Sequence, residues 1–307
     1  MNLLQVAKTF ATEDMALAYW IMTRWPKGVR CLACDNPKVW AITTKGKTGR
    51  KCRLFECAEC GLHFSATTGT LFHDSHLPLT KWFAAIALMC ESKKGISANQ
   101  VARHIGCSYK TAWYLCHRIR NAMSEAEAPM LGGPGKIVEV DETFIGGKQR
   151  GKGLKAAHDA KVKVLGIAER GGRIHLQTIE NTKIATLRPL LESKLDPDTD
   201  KVVTDGAAAY NYAIPKDKHE GTCHKSELRD DGFITGTRSI ESAFSLFKRG
   251  IVGSYHKMSR DHMDSYLGEF CWRFNRRHLQ PQLFDMALHN LTERKPLTFK
   301  KLTQEIF

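Results

Sequence analysis

The sequence predicts a mixed α/β fold in its C-terminal half, preceded by a cysteine-bearing module and a helical segment. From Ile137 onward, short β-branched runs alternate with stretches of helical periodicity, as in a sheet flanked by helices. Residues 78–126 show helical periodicity alone, and the region before them contains paired cysteines. We therefore predict three domains, which comprise residues 1–75, 76–130 and 131–307.

The bulk composition favours a nucleic-acid partner. The chain has 307 residues, of which 42% are hydrophobic, so it can bury a sizeable core. No stretch reaches the roughly 20 apolar residues of a membrane helix, and the N-terminus lacks a signal pattern, so we expect a cytoplasmic protein. The net charge of +14 attracts polyanions, although a merely basic protein would show the same charge.

The cysteine-bearing module has the spacing of a structural zinc site. Two CxxC pairs are separated by 22 residues, and they consist of Cys31, Cys34, Cys57 and Cys60. Four thiolates complete a tetrahedral shell around one Zn²⁺, and strand-like pieces between the pairs indicate a zinc ribbon. A redox CxxC pair is the alternative, and the role of nearby Cys52 stays open.

The helical segment contains two helices separated by a short turn. Ser97 precedes residues 98–104 and Ser108 precedes residues 109–120, so each serine is expected to cap a helix. Gly106 suits the tight turn of a helix-turn-helix, which would place Lys110 near DNA at the start of the second helix. An ordinary helical hairpin that acts as a spacer is the alternative.

The order of predicted elements in the last region is that of the RNase H-like fold, a mixed sheet flanked by helices. Three strands come first, then a helix, then a buried strand. These elements are predicted at residues 137–145, 162–168, 173–179, 184–195 and 201–204.

Three carboxylates follow these elements at positions where folding can bring them together. Asp141 lies on the first strand, and Asp205 ends a strand expected to lie beside it. Glu241 lies on a later amphipathic helix, and Lys248 is two turns further along the same side, about 10 Å away. Glu139 shares a strand face with Asp141, and we expect it to form a structural ion pair.

The residue types point to metal-dependent phosphoryl transfer. Hard carboxylate oxygens suit Mg²⁺ or Mn²⁺, and few protein ligands leave room for a substrate phosphate. Two such ions can activate an attacking oxygen and stabilise a leaving one. The same site could therefore use water to nick DNA and then use the freed 3′-OH to attack a target strand.

Long motifs resemble those of bacterial insertion-sequence transposases that carry a zinc ribbon. The segments are VEVDETFIGGK, VTDGAAAYN and IESAFSLFKRGIVGSYHKMS, with a later FNRR. The second and third carboxylates have 35 residues between them, and a lysine follows seven positions beyond the glutamate, as in the DDE signature of transposases and retroviral-type integrases. The similarity extends from the ribbon to about Phe299.

The resemblance implies a polynucleotidyl transferase that acts on double-stranded DNA at element ends and at a target. It implies that Asp141, Asp205 and Glu241 are the catalytic metal ligands and that Lys248 contacts DNA. It also implies a bacterial protein, nucleoid-associated when bound to DNA, that works there as a homo-oligomer, since two ends must be held together.

Further basic residues and two other functions remain open. Lys148 and Arg249 are expected to bind DNA, although a solvated basic surface would look the same. His224 could support the site or lie on the surface. The alternatives are an RNase H-like nuclease or resolvase without strand transfer, and a catalytically idle zinc-dependent DNA-binding protein.

Overall fold

The computed structural model describes residues 1–45, 51–125, 128–147, 161–222 and 236–304. The chain forms two compact units. The first contains Met1–Met123 and Leu279–Phe307, and the second contains Ser124–His278. None of the helices in the described parts of the chain has the length and apolar character that a membrane crossing requires.

The secondary-structure elements are numbered in chain order. The first unit begins with α1 (Leu3–Thr9), α2 (Glu13–Arg24), β1 (Val39–Lys45), β2 (Lys51–Cys57), β3 (His63–Phe64), α3 (Leu79–Glu91), α4 (Ala98–Ile105) and α5 (Tyr109–Ala122). The second contains β4 (Ile137–Ile145), β5 (Val162–Glu169), β6 (Ile174–Ile179), α6 (Ile184–Lys194), β7 (Lys201–Thr204), α7 (Tyr210–Ala213), β8 (His219–Gly221), α8 (Arg238–Gly250), a π-helix (Ile251–Tyr255) and α9 (Met263–Asn275). A 3₁₀ helix (Arg277–Gln282), α10 (Leu283–Glu293) and α11 (Phe299–Gln304) end the chain.

The first unit joins a small antiparallel sheet, in the order β1-β2-β3, to a group of helices. The predicted caps of α4 and α5 are present, since Ser97 Oγ accepts from the Gln100 N–H and Ser108 Oγ accepts from the Thr111 N–H, both at 3.2 Å. Between the two helices, Gly106 adopts φ +61°, which lets the chain turn tightly.

The C-terminal helices pack in the first unit, whereas the sequence division placed them with the α/β region. The reason is apolar burial along α10, whose Phe284 ring lies 5.7 Å from the Phe83 ring of α3 and 5.9 Å from the Phe10 ring. Leu283, Phe284 and Leu288 are fully buried, so α10 completes the helical core of that unit.

The second unit contains a five-stranded mixed sheet in the order β6-β5-β4-β7-β8. Strands β4, β5 and β6 form an antiparallel meander, whereas β7 is parallel to both β4 and β8. Helices cover both faces. One face buries Val164, Ile174 and Leu176 against α8 and α9, and the other packs against α6 and α7.

Helix α8 lies unusually close to the sheet at Gly166 of β5. A Cβ atom at this position would lie 2.5 Å from Ile240 Cδ1 and 2.6 Å from Phe244 Cζ, both on α8. Real Cβ atoms do not make contacts that short, so only glycine permits this packing. Gly166 is also the register partner of Asp141 on β4, and the close approach therefore occurs beside a predicted site residue.

We expect Gly166→Ala to push α8 away from the sheet and to lower the free energy of unfolding by about 1–3 kcal/mol, because overpacking strains both partners. Urea unfolding followed by circular dichroism measures the change. Gly253→Ala is the matched control, since a Cβ there meets no atom within 4 Å. Equal stability of the two variants would contradict the close packing of α8.

Candidate catalytic and metal-binding sites

The four predicted cysteines come together in the first unit. Their sulfur atoms all lie within 4.8 Å of one another, and three pairs are separated by 3.5 to 3.6 Å. A tetrahedral Zn²⁺ with Zn–S bonds of about 2.3 Å needs sulfurs about 3.8 Å apart. The four residues Cys31, Cys34, Cys57 and Cys60 therefore fit a structural zinc ion with no position left for substrate.

Both cysteine pairs use the same backbone turn to aim their sulfurs. Asp35 follows the first pair with φ +57°, and Gly61 follows the second with φ +66°. In each turn the backbone N–H of that residue donates to the carbonyl of the pair's first cysteine. N–H groups of Cys34 and Ala33 lower the pKa of Cys31 to about 6, which favours the thiolate that binds metal.

The sheet register carries Asp141 and Asp205 toward the same end of two adjacent strands. Parallel pairing of β4 with β7 extends to Glu139 and Val203, and each aspartate follows two residues after its strand's last paired residue. Neighbouring strands are about 4.8 Å apart, which sets the spacing of their backbones. The Asp205 side chain is held in a turn by the Ala207 N–H, which donates to Oδ1 at 3.1 Å.

Glu241 lies in the first turn of α8, on the sheet face toward which Asp141 points. As predicted, Ile240, Ala243, Phe244 and Phe247 form the buried stripe of this helix. Glu241 itself is exposed, and its Oε1 accepts a hydrogen bond from Thr237 Oγ1 at 3.0 Å.

Helix α8 is held by the buried carboxylate of Glu139. Its oxygens accept from the backbone N–H of Ser239 at 2.6 Å and of Ile240 at 3.1 Å, at the N-terminal end of the helix. Arg170 Nε donates to Glu139 at 2.8 Å, and Arg170 also donates to the Gly236 carbonyl. Glu139 therefore forms the expected ion pair and also fixes the helix that carries Glu241.

Burial and the neighbouring carboxylates both change the pKa of Asp141. Burial raises the pKa of Asp141 from its ordinary 3.8 to about 7, and the negative charges of Asp205, Glu142 and Glu241 add to this rise. The backbone N–H of Glu142, which donates to Asp141 Oδ1 at 2.7 Å, opposes it. Mutual repulsion of this kind is relieved when a cation binds between the carboxylates.

The three carboxylates do not form a compact ligand cluster of the kind that the cysteines form. Among the described residues, the cysteines are the only group of three or more possible ligands close enough together to hold a metal ion. The role of Asp141, Asp205 and Glu241 as metal ligands therefore stays a prediction.

The sequence analysis did not single out Glu142, a carboxylate that directly follows Asp141. Glu142 points to the opposite face of β4, where the hydroxyl of buried Tyr210 donates to Oε2. Burial raises the pKa of Glu142, and the charge of Asp205 contributes to the rise. Its position directly after Asp141 was the available signal, but strand alternation pointed it away from the predicted site.

The predicted DNA-binding residues lie in different places. Lys248 and Arg249 are exposed near the end of α8, and Arg249 Nε donates to the Ser245 carbonyl. Lys110 is exposed at the start of α5, with its ammonium 4.9 Å from the centre of the Phe299 ring. Lys148 and His224 lie outside the described residues.

Comparison with known proteins finds two family models that match separate parts of the chain. The ISXO2-like transposase domain matches residues 130–275, and the transposase zinc-ribbon domain matches residues 11–63. Both parts are therefore similar to domains of insertion-sequence transposases. A relative in Halobacterium salinarum, described as an uncharacterized protein in transposable element ISH50, is 28% identical over 284 residues, which is 86% of this chain and 91% of that protein.

The zinc-ribbon match and the sulfur geometry of the cysteine cluster lead to one prediction. Cys57→Ser removes a buried ligand, so we expect loss of zinc and unfolding of the ribbon while the α/β unit stays folded. Metal analysis and circular dichroism measure both effects. Cys107→Ser, outside the cluster, is the control. One zinc per chain retained in Cys57→Ser would contradict the four-ligand site.

The raised pKa of Asp141 leads to a second prediction, which concerns stability without metal. A carboxyl whose folded pKa lies above its unfolded pKa binds protons more tightly in the folded state, so the fold loses stability as pH rises from about 4 to about 7. Asp141→Asn removes that loss. We expect a melting temperature a few degrees higher than that of the native chain at pH 8 in chelator, and no difference at pH 4.

Thermal melts at the two pH values test this expectation. The exposed carboxyl of Asp198 provides the control variant Asp198→Asn, for which no such pH-dependent gain is expected. An unchanged or lower melting temperature of Asp141→Asn at pH 8 would show that the charged form of Asp141 does not destabilise the fold.

Proposed function

We propose that this chain is a transposase that binds the ends of its own element, cleaves them and joins them to target DNA by metal-dependent phosphoryl transfer. The observation that carries the proposal is the parallel pairing of β4 with β7, which ends two residues before Asp141 and Asp205 on the sheet that α8 covers. The match of residues 130–275 to the ISXO2-like transposase domain supports the same function.

The topology supports an RNase H-like catalytic unit. The sheet order β6-β5-β4-β7-β8 consists of an antiparallel meander followed by two parallel strands, with helices on both faces. The order three strands, helix, strand predicted from sequence is present in the chain. We assign catalysis to the region that begins at residue 131, and DNA recognition to residues 1–75 and 76–130.

Asp141, Asp205 and Glu241 would hold the catalytic metal. When bound, a pair of Mg²⁺ or Mn²⁺ ions supplies Lewis acidity for in-line displacement at phosphorus. The protein's part is to hold the carboxylates on a rigid sheet and a capped helix, so that they keep their positions when substrate enters. Lys248, about 10 Å beyond Glu241 along α8, is placed to bind a phosphate of the same strand.

Helices α4 and α5 support a helix-turn-helix assignment. The turn at Gly106 is tight, both helices are capped by serines, and the start of α5 exposes Tyr109 and Lys110 to solvent. These are the positions from which a recognition helix contacts base edges in the major groove. Two element ends must be held in one reaction, so we propose that at least two copies assemble on double-stranded DNA.

Replacing one carboxylate tests the catalytic assignment. Asp205→Asn keeps the size and the turn of the side chain but removes the charge that attracts Mg²⁺, so we expect strand cleavage to fall at least about 1000-fold, or about 4 kcal/mol. Binding to end DNA in a gel-shift assay should change less than about twofold. Asp217→Asn, an exposed carboxyl elsewhere in the unit, is the matched control.

The outcomes separate the alternative functions. Asp205→Asn that still cleaves in Mg²⁺ would show that the carboxylate assignment is wrong. Native protein that cleaves flanking DNA but never joins the freed 3′ end to a target would be a nuclease or resolvase. Native protein that binds DNA without cleaving it would be a catalytically idle DNA-binding protein.

A further inference from the structure

A deep cleft lies beside the carboxylates in the second unit. It has a volume of about 530 Å³, and it lies where the end of β4 meets the end of α8 and the π-helix. Its apolar lining includes Ile145, Met258 and Met263, of which Ile145 and Met263 are buried. A volume of this size falls in the range of small-molecule pockets, so one nucleotide fits inside it.

The rim of the cleft is cationic. Lys248, Lys257 and Arg260 are exposed on it, together with His256, and no acidic residue occurs among the described residues that line it. An apolar floor with a positive rim complements a ligand that joins a flat apolar ring to an anion. A nucleobase attached to its phosphates has this chemistry.

One wall of the cleft has an irregular backbone. The π-helix Ile251–Tyr255 continues α8 directly, and His256 follows it with φ +59° and ψ −41°, which is costly for a residue other than glycine. Single-turn π-helices within α-helices are frequently found at functional sites. Here the irregular turn carries the chain from α8 to the rim residues Lys257 and Arg260.

The cleft lies at a defined distance from the carboxylates. Phe144 is three residues beyond Asp141 on β4, and Lys248 is seven residues beyond Glu241 on α8, so both routes measure about 10 Å. A stacked DNA strand advances 3.4 Å per nucleotide, so about 10 Å corresponds to about three stacked nucleotides, or to fewer when the strand is unstacked.

We propose that this cleft receives an unstacked nucleobase from the strand that carries the scissile phosphate, with the adjoining phosphates held by Lys248, Lys257 and Arg260. The inference rests on the proposed function and adds a substrate contact to it. A paired base cannot reach the floor, because a duplex presents only its outer edge to a concave site. Contact with Ile145, Met258 and Met263 offsets the cost of unstacking, which is a few kcal/mol.

A pair of glycine substitutions tests the cleft without disturbing the fold. Gly147 lines the cleft and Gly253 does not, and a Cβ at either meets no atom within 4 Å. Gly147→Trp adds a large side chain at the cleft lining, whereas Gly253→Trp adds the same side chain at a residue that does not line the cleft. The probe is end DNA with 2-aminopurine placed in turn at each position near the cleavage site, since this base brightens when it leaves the stack.

We expect the native chain and Gly253→Trp to raise the fluorescence several-fold at one position, and Gly147→Trp to raise it at none and to cleave at least tenfold more slowly. Removing the base at that position should abolish the difference in cleavage between native and Gly147→Trp, which misfolding of the variant would not do.

Two results would overturn the inference. Native protein that cleaves its DNA without brightening at any position, together with normal cleavage by Gly147→Trp, would leave the proposed function intact and remove the nucleobase contact. Native protein that neither binds nor cleaves end DNA would remove both.

Discussion

The buried carboxylate of Glu139 is the interaction on which the geometry of the carboxylate site depends. It is 2% exposed, and a buried charge is costly unless several donors satisfy it. Here two backbone N–H groups at the start of α8, the Ser239 hydroxyl and the Arg170 guanidinium all donate to it. Helix N-termini favour negative charge, so the same contacts position α8 and orient its first turn, which carries Glu241.

Packing on the sheet sets how close that helix comes. Gly166 removes the side chain that would separate β5 from α8, and Ile240 and Phe244 occupy the space. A polar anchor at the start of the helix and an apolar contact along it therefore act on the same element. Together they leave Asp141 largely buried, which is why its pKa rises while Glu241 stays accessible to substrate.

The same helix connects the carboxylates with the basic surface. Glu241 lies near its start, Lys248 near its end, and the π-helix that continues it forms one wall of the cleft. In the proposed function, the carboxylates would attract metal ions and the cationic rim would attract the DNA strand. Because one rigid element carries Glu241 and Lys248, a phosphate held by Lys248 would stay at a fixed distance from Glu241, as positioning of a reactive bond requires.

Local pattern was enough to predict the elements and the zinc ligands. Strand β4 has the predicted bounds, Ile137–Ile145. Helix α6, which was predicted to end at Leu195, ends at Lys194. The four cysteines could be assigned because two short turns aim their own sulfurs, so the spacing alone specifies most of the geometry. The helical periodicity of the sequence also predicted which side chains of α8 form its buried stripe.

Contacts between distant parts of the chain could not be predicted from local sequence pattern. Alternation along β4 places Glu142 on the face opposite Asp141, but only the fold brings Tyr210 to it and Asp205 near it. The need for glycine at position 166 depends on a helix more than 70 residues later, and the packing of α10 with α3 depends on aromatic residues about 200 positions apart. Sequence periodicity records which face of an element is apolar, whereas the partner that covers this face is decided by the packing of the whole chain.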